Sequence, residues 1–333
     1  MTIREIAKLA GVSPAAVSLV LNNKPGVGAQ RRSDIQALLR ENGYEIKEQP
    51  ETSAPKKQIC CVKYRTNYDN DEFSISILDT IEEYANRSGY SVSVVNITHD
   101  TYAQKLSTLD YSTLKGIVFF ASEISEECLN FAQRIPIPTV YVDIFSAYQT
   151  INTVNADQRQ IANLAARHLI NLGHQEIGYL KIAPERGYLG QRFRYFSAEL
   201  KSSNISLPPE CTFTFDAFAD DLDEQMYTAF SQLNAFPTAF FAEGDLLAAS
   251  CIHALTRLGY RVPEDISVIG VDNTRISQFT TPKLTSIDVN MREMGRVAVE
   301  RLLRLIDEPE RPVLHIYITP FLVRRDSTSA AKR

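Results

Sequence analysis

Several acids and arginines stand where apolar runs end or helical stretches begin: Asp143, Asp157, Asp245 and Asp272, with Arg186 and Arg192. Asp272 closes the run SVIGVD, while Arg186, Tyr188 and Arg192 follow EIGYLKI at the opening of a helical stretch. An arginine fork and a carboxylate each bond several hydroxyls at fixed geometry, so together they suit a polyhydroxylated ligand. Phe218, at the end of CTFTFDAF, can stack on a sugar or base face. Each has a plainer use as well. Asp157 and Asp245 suit helix caps, Phe218 suits a core, and Arg192 with Asp272 suits a structural ion pair. His174 in LGHQEIG reads as a turn residue, and His99, His168, His253 and His315 form no cluster. The chain has no GxSxG, no GxxxxGK[ST] and no metal-ligand spacing, so the chemistry on offer is binding, with no cofactor and no metal, and not catalysis.

The elements that position these groups follow from periodicity. From residue 59, apolar runs alternate with helical stretches: CCVKY, YSVSVVNI, KGIVFFA and PTVYVD are separated by stretches near 76–87, 102–109 and 126–134. The rhythm restarts at 158–172 and runs through EIGYLKI, CTFTFDAF, TAFFAEG and DISVIGVD, with helical stretches at 191–203, 222–233 and 246–258. Such alternation means parallel sheets covered by helices, and two such blocks mean two doubly wound α/β lobes. Ligands in these sheets bind beyond the carboxyl ends of the strands, so two facing lobes create a cleft.

Bulk properties agree. The 333 residues are 44% hydrophobic and 23% charged, ordinary values for a folded soluble chain of two or three domains. The net charge of −5 points to neither nucleic acid nor membrane. Its distribution says more: residues 1–58 carry net +3, leaving −8 on the remainder. The five cysteines, at 60, 61, 128, 211 and 251, are odd in number and scattered, which reads as reduced core thiols. MTIREIAK interleaves charge with apolar residues, unlike a signal peptide, and no run has the roughly 18 apolar residues of a membrane span. The expected location is the cytoplasm.

The basic head has its own pattern. Thr2 and Glu5 form a capping box, and Ile3, Ile6, Ala7 and Ala10 share one helical face. Gly11 ends that helix; Ser13 caps a second, with Pro14 in its first turn. Val17, Val20 and Leu21 give the second helix a buried face, and a third runs over 29–42 with Ile35, Leu38 and Leu39 inward. Three short helices, the first two joined by a tight turn, make a helix-turn-helix domain.

TIREIAKLAGVSPAAVSLVLNN, followed by RENGY, resembles the DNA-binding head of the LacI/GalR family of bacterial transcription regulators, whose pattern is close to TIKDVAxxAGVSxxTVSRVLN and ends in LGY. The resemblance implies that the second helix enters the major groove, with Pro14, Ala15, Ala16 and Leu19 at the base-reading positions and Ser13 and Ser18 in reach of phosphate or base. Leu19 stands where the family has the arginine of VSRVLN. An arginine bonds guanine bidentately, and such a pair is worth roughly 1–3 kcal/mol of discrimination; leucine and alanine offer only apolar contact, for example to thymine methyls. Asn22, Asn23, Lys24, Gln30, Arg31 and Arg32 are expected at phosphates, which set register without reading sequence. EIKEQPETSAPKKQ departs further from the family. It lacks the hinge pattern near PNxxARxL, and Pro50 and Pro55 oppose a helix. An irregular linker is expected, with Lys56 and Lys57 touching the backbone at most.

HLINLGHQEIGYL, RVPEDISVIGVDN and TTPKLTSIDVNMREMG extend the resemblance to the family's periplasmic-binding-protein-like core. The organisation expected is a head over 1–46, a linker over 47–58, a core over 59–327 and a tail over 328–333. Lobe one takes about 59–153 plus 287–311, and lobe two about 154–286 plus 312–327. The chain then crosses between lobes near 152–155, 286–288 and 310–313. The resemblance places the effector between the lobes, against Asp71, Phe73, Arg186, Tyr188, Arg192, Phe218 and Asp272, and Asp143, Asp157 and Asp245, which end strands or begin helices, join them as expected effector residues. The expected function is a DNA-binding regulator, a repressor and homodimer on a pseudo-palindromic operator, controlled by a sugar or sugar phosphate, with a nucleobase or nucleoside next. A subset of the family answers to a phosphorylated carrier protein, a further partner to consider. The alternative is a ligand-binding or protein-docking module with little specific DNA binding, motivated by Leu19 and the missing hinge pattern.

Overall fold

The computed structural model describes all residues except 23, 25, 45–56, 66–70, 121, 123, 145–149, 184–186, 206 and 333. It divides into two compact units, Met1–Lys56 and Lys57–Arg333.

The first unit holds α1 (Ile3–Leu9), α2 (Pro14–Leu21) and α3 (Ala29–Glu41). The capping box forms as its residues dictate: Thr2 N donates to Glu5 Oε2 at 2.7 Å and Glu5 N to Thr2 Oγ1 at 3.4 Å. Gly11 takes the left-handed φ of +62° that turns the chain into α2, and Ser13 Oγ accepts Ala16 N at 3.2 Å to cap it. Ile6, Ala7, Val17, Val20, Ile35 and Leu39 fill the small core. Tyr44 closes it by donating its hydroxyl to Met1 O at 2.9 Å.

The second unit contains two six-stranded sheets. The first uses β1 (Lys57–Tyr64), β2 (Tyr90–Ile97), β3 (Leu114–Phe120), β4 (Thr139–Val142), β5 (Asn152–Ala156) and β11 (His315–Ile318). Its order is β11-β5-β4-β3-β1-β2, parallel throughout. The second uses β6 (Ile177–Ile182), β7 (Thr212–Phe215), β8 (Ala239–Ala242), β9 (Ser267–Val271), β10 (Thr285–Asp288) and β12 (Phe321–Val323). Its order is β12-β10-β9-β8-β6-β7, with only β12 antiparallel. Leaving out β11 and β12, both sheets have the doubly wound order 2-1-3-4-5, which places a switch point at β1/β3 in one lobe and at β6/β8 in the other.

Helices α4 (Asp71–Arg87), α5 (Tyr102–Ser107) and α6 (Glu126–Ala132) belong to the first lobe. The second has α7 (Gln158–Asn171), α8 (Gly187–Ser202), α9 (Leu222–Ser231), α10 (Asp245–Arg257) and α11 (Ile276–Phe279). After β10 the chain returns to the first lobe as α12 (Met291–Asp307), which packs on α4, β3, β4 and β5. Gly295 permits that approach: a Cβ there would lie 2.8 Å from Ile77 O and 2.9 Å from Thr80 Cβ.

The crossings correct the expected boundaries. β5 runs to Ala156 within the first sheet, so the first crossing follows it. β10 pairs with β9 up to Ile287 and with β12 up to Asp288, so all of 285–288 is second-lobe strand. The third crossing is not at 310–313. His315–Ile318 pairs with β5 in the first sheet, and the chain crosses only between Ile318 and Phe321. The linker also ends earlier, because Lys57 and Gln58 pair with Tyr90 and Ser91 inside β1. Lys57 lies 5.7 Å over the Tyr90 ring, a strand residue rather than a linker cation. The segment from 328 is no free tail: Ser329 N donates to Ser267 Oγ at 3.0 Å and Ala331 N to Leu172 O at 2.8 Å.

Candidate functional site: an inter-lobe cleft and an exposed head helix

The carboxyl ends of the strands carry the cleft. Arg192, on α8, is 3% exposed. Its Nη1 donates to Glu243 O at 2.6 Å and its Nε to Gln158 Oε1 at 2.9 Å. These bonds fix the guanidinium beside the end of β8, at the second lobe's switch point. Glu243 is held in turn: Tyr179 Oη donates to Oε1 and Ile182 N to Oε2, both at 2.8 Å. Burial pushes the Glu243 carboxyl up to about 7 against the opposing pull of Arg192 and these bonds.

Asp272 follows β9 with a left-handed φ of 97°, and Asn273 follows it at 53°. Two successive non-glycine residues in that region are costly unless pinned. The pins are visible. Asn273 N donates to Ser286 Oγ at 3.1 Å, its Nδ2 donates to Asp288 Oδ2 at 2.8 Å, and its Oδ1 accepts Arg325 Nη2 at 2.6 Å. The turn so held presents Asp272 to the cleft. Burial raises its carboxyl to about 7, Arg192 lowers it, and the charges of Asp143 and Asp288 raise it further. Asp143 follows β4 in the other lobe, is buried, and lies close enough for its charge to act on Asp272.

Other expected residues have structural work. Asp245 is buried; it accepts Thr274 N at 2.7 Å, Thr274 Oγ1 at 3.1 Å and Ser286 Oγ at 2.6 Å. It ties α10 to the segments after β9 and along β10, and burial, then Asp272, push it up to about 8. Asp157 caps α7, accepting Gln160 N at 3.1 Å and Gln160 Nε2 at 2.8 Å. Phe218, 37% exposed, lies in the turn after β7, where its N–H donates to Asp216 Oδ1 at 2.9 Å. Phe73 is on α4, its ring 6.0 Å from that of Phe120 at the end of β3. Asp71 and Tyr188 lie in the first turns of α4 and α8, their side chains outside the described residues, as is all of Arg186. His174 is the expected structural residue, buried with Nδ1 2.9 Å from Thr238 Oγ1 and Nε2 3.1 Å from Ser329 O.

A cavity of about 230 Å³ opens where α4 meets the second lobe, lined by Glu72, Ser76, Asp272, Asn273, Asp288 and Arg292 among others. Arg275 N donates to Glu72 Oε1 at 2.6 Å across its mouth, a bond between lobes. Of the expected effector residues whose side chains are described, only Asp272 lines this cavity. Glu243, Gln158, Asn273, Asp288 and Glu72 were missed. Glu243 had a signal, since it ends the run TAFFAEG at a strand's carboxyl end; the rest act through pairings that spacing does not encode. Lys63, also missed, is a buried lysine near the end of β1 whose Nζ donates to Ser74 Oγ at 2.7 Å. Among the described residues no group of three or more His, Cys, Asp or Glu could hold a metal ion, and no helix is long and apolar enough to cross a membrane.

On the head, α2 positions 15, 18 and 19, with the C-cap Asn22, form one stripe at helical spacing. Pro14, Ala15 and Ser18 are exposed, Ala16, Leu19 and Asn22 partly so. Asn22 folds back, its Nδ2 donating to Ser18 O at 2.9 Å and to Ser18 Oγ at 3.4 Å. Leu19 rests on the following loop: a Cβ at Gly26, whose φ is +119°, would lie 3.3 Å from Leu19 Cδ1. Lys24, Gln30 and Arg31 are exposed, while Arg32 Nη2 donates to Lys24 O. Asn23 lies outside the described residues.

The chain matches two family models, "Bacterial regulatory proteins, lacI family" over residues 2–45 and "Periplasmic binding protein-like domain" over 166–328. It is 29% identical to the HTH-type transcriptional repressor PurR of Mannheimia succiniciproducens, over 98% of each chain. It is also 29% identical to the PurR of Pectobacterium atrosepticum, over 98% of this chain and 97% of that one. Among solved structures it resembles the Lac repressor dimer bound to operator and the anti-inducer ONPF (24% identity, 99% of each chain, TM-score 0.73). A second is the transcriptional regulator CelR in complex with cellobiose (19% identity, 98% and 99% covered, TM-score 0.73).

Proposed function

Because the chain belongs to the LacI/GalR family of bacterial transcription regulators, we propose that it represses by operator binding and that a neutral sugar in the inter-lobe cleft sets its operator affinity. It is a DNA-binding transcriptional repressor under small-molecule control. The identity of the effector is our reading. The observation that carries it is Asp272 on its pinned turn, with Arg192, locked by Glu243 O and Gln158, close enough for its charge to lower that carboxyl. The guanidinium N–H groups that those two bonds leave over, with a carboxylate acceptor at fixed geometry, match vicinal hydroxyls. The charges of Asp143 and Asp288 already oppose the ionisation of Asp272, and a phosphate brought beside it meets the same repulsion. A neutral sugar is therefore favoured over a sugar phosphate. The CelR structure, a cellobiose complex, supports the class.

We further infer a homodimer, since a two-fold pair of heads suits a pseudo-palindromic operator. Ile75, Val94 and Phe279 are large apolar side chains left exposed on the single chain, with Phe279 at 75%. The effector shifts the operator equilibrium only by its difference in affinity for the two states of the core.

A thermal-shift screen of neutral sugars, sugar phosphates and nucleosides against the full chain tests the effector, followed by operator binding with each hit. Asp272→Ala or Arg192→Ala abolishes the response to the hit and leaves effector-free operator binding intact. A normal response in both variants refutes the cleft assignment.

A further inference from the structure

We propose that the exposed stripe of α2 reads thymine methyl groups, so that the operator half-site is specified by apolar contact in the major groove and not by bidentate hydrogen bonds. This rests on the reading of the head as an operator binder and goes on to say which bases it selects. The sequence of α2 is PAAVSLVL, which contains no Arg, Lys, Gln, Asn, Asp or Glu. Bidentate recognition of guanine or adenine needs one of those side chains, so α2 itself cannot supply it.

Ser13 and Asn22, the polar residues next to α2 on either side, are turned onto the helix. Ser13 Oγ accepts the amide of Ala16, and the Asn22 amide donates to Ser18 O and Oγ. Leu19, at the position nearest to a long reader, is drawn against Gly26 and leaves one flank outward. The outward face therefore consists of the Pro14 ring, the Ala15 and Ala16 methyls, that flank and the Ser18 hydroxyl. The only apolar group that a base pair shows in the major groove is the thymine C5-methyl. Small side chains also let the helix axis approach the bases closely, which brings methyl to methyl. Lys24, Gln30 and Arg31 lie off α2 and are placed for phosphates, where they add affinity and salt dependence without sequence preference.

The test uses the full chain and the duplex that it enriches from a randomised library. Each thymine of the half-site is replaced in turn by deoxyuridine, which removes the methyl and keeps every hydrogen-bonding group. Binding is followed by fluorescence anisotropy at fixed salt. Uracil at a contacted position weakens binding about fourfold, the worth of one buried methyl-sized group, and uracil outside the half-sites has no effect. Ala15→Ser, conservative in volume, reduces the preference for thymine over uracil at one position and spares the others. If uracil throughout both half-sites leaves affinity unchanged while the site is still preferred, the methyl reading is overturned and the operator reading stands. If no duplex is enriched, both fall together.

Discussion

Asp272 is held near half-ionisation at neutral pH. Burial and the facing charges of Asp143 and Asp288 raise its carboxyl to about 7, while Arg192 resists. The hydroxyls of the proposed sugar effector would donate to Asp272, so they need the carboxylate and not the acid. Below about pH 7 the proton must be removed before the hydroxyls can bond, which subtracts from affinity. Effector affinity is therefore expected to rise about tenfold from pH 6 to pH 8 and then level off. Titration calorimetry across that range checks it, and Asp272→Asn flattens the profile. A profile falling with pH reverses the proposed role. Asp245, raised for the same reason, is expected to contribute little to the profile, since both its oxygens are engaged by Thr274 and Ser286 within its own lobe.

Among the elements, α12 packs closely on α4 in the first lobe. Gly295→Ala adds helix propensity worth about 1 kcal/mol. Against that, the new methyl meets a backbone carbonyl, Ile77 O, at 2.8 Å. Backbone cannot rotate away, so overpacking of roughly 1–3 kcal/mol wins, and scanning calorimetry is expected to show a lowered Tm. Most of these elements were readable from periodicity, as the head helices and the βα alternation were, while the family resemblance put the stretch of about 287–311 in the first lobe, where α12 lies. The third crossing was not. HIYI is a four-residue edge strand with a mostly exposed pattern, and its partner β5 lies some 160 residues earlier. Its sheet is set by that distant pairing and by no local signal. The site divides similarly. Strand-end positions showed Asp272 and Asp143, but the Asn273 links to Arg325 and Asp288 depend on three segments meeting. Asp157 and Asp245 took the capping and bracing uses that a carboxylate at a helix start equally permits.

For the whole molecule, the proposed homodimer brings two heads to one operator, and the exposed apolar side chains bear on how they would be paired. Phe279, on α11, is the most exposed large apolar residue among those described. Phe279→Asp is expected to shift the chain from dimer to monomer in sedimentation experiments. Operator affinity then falls at least tenfold at nanomolar protein, because a single head has only half the site. A variant that stays dimeric with full affinity places the interface elsewhere.

The three crossings also dictate an order of events on the ribosome. The chain leaves the first lobe after Ala156 and does not return until α12, at Met291, with β11 later still. In between it lays down β6 to β10, the whole parallel portion of the second sheet. During that interval the face of the first sheet that α12 will cover, with Val118, Val140 and Val154, has no cover from that helix, and the edge of β5 has no partner. The nascent protein is thus most vulnerable in mid-synthesis. A ribosome that stalls between these points releases a first lobe with an open sheet edge, the form of this chain most prone to pair with itself.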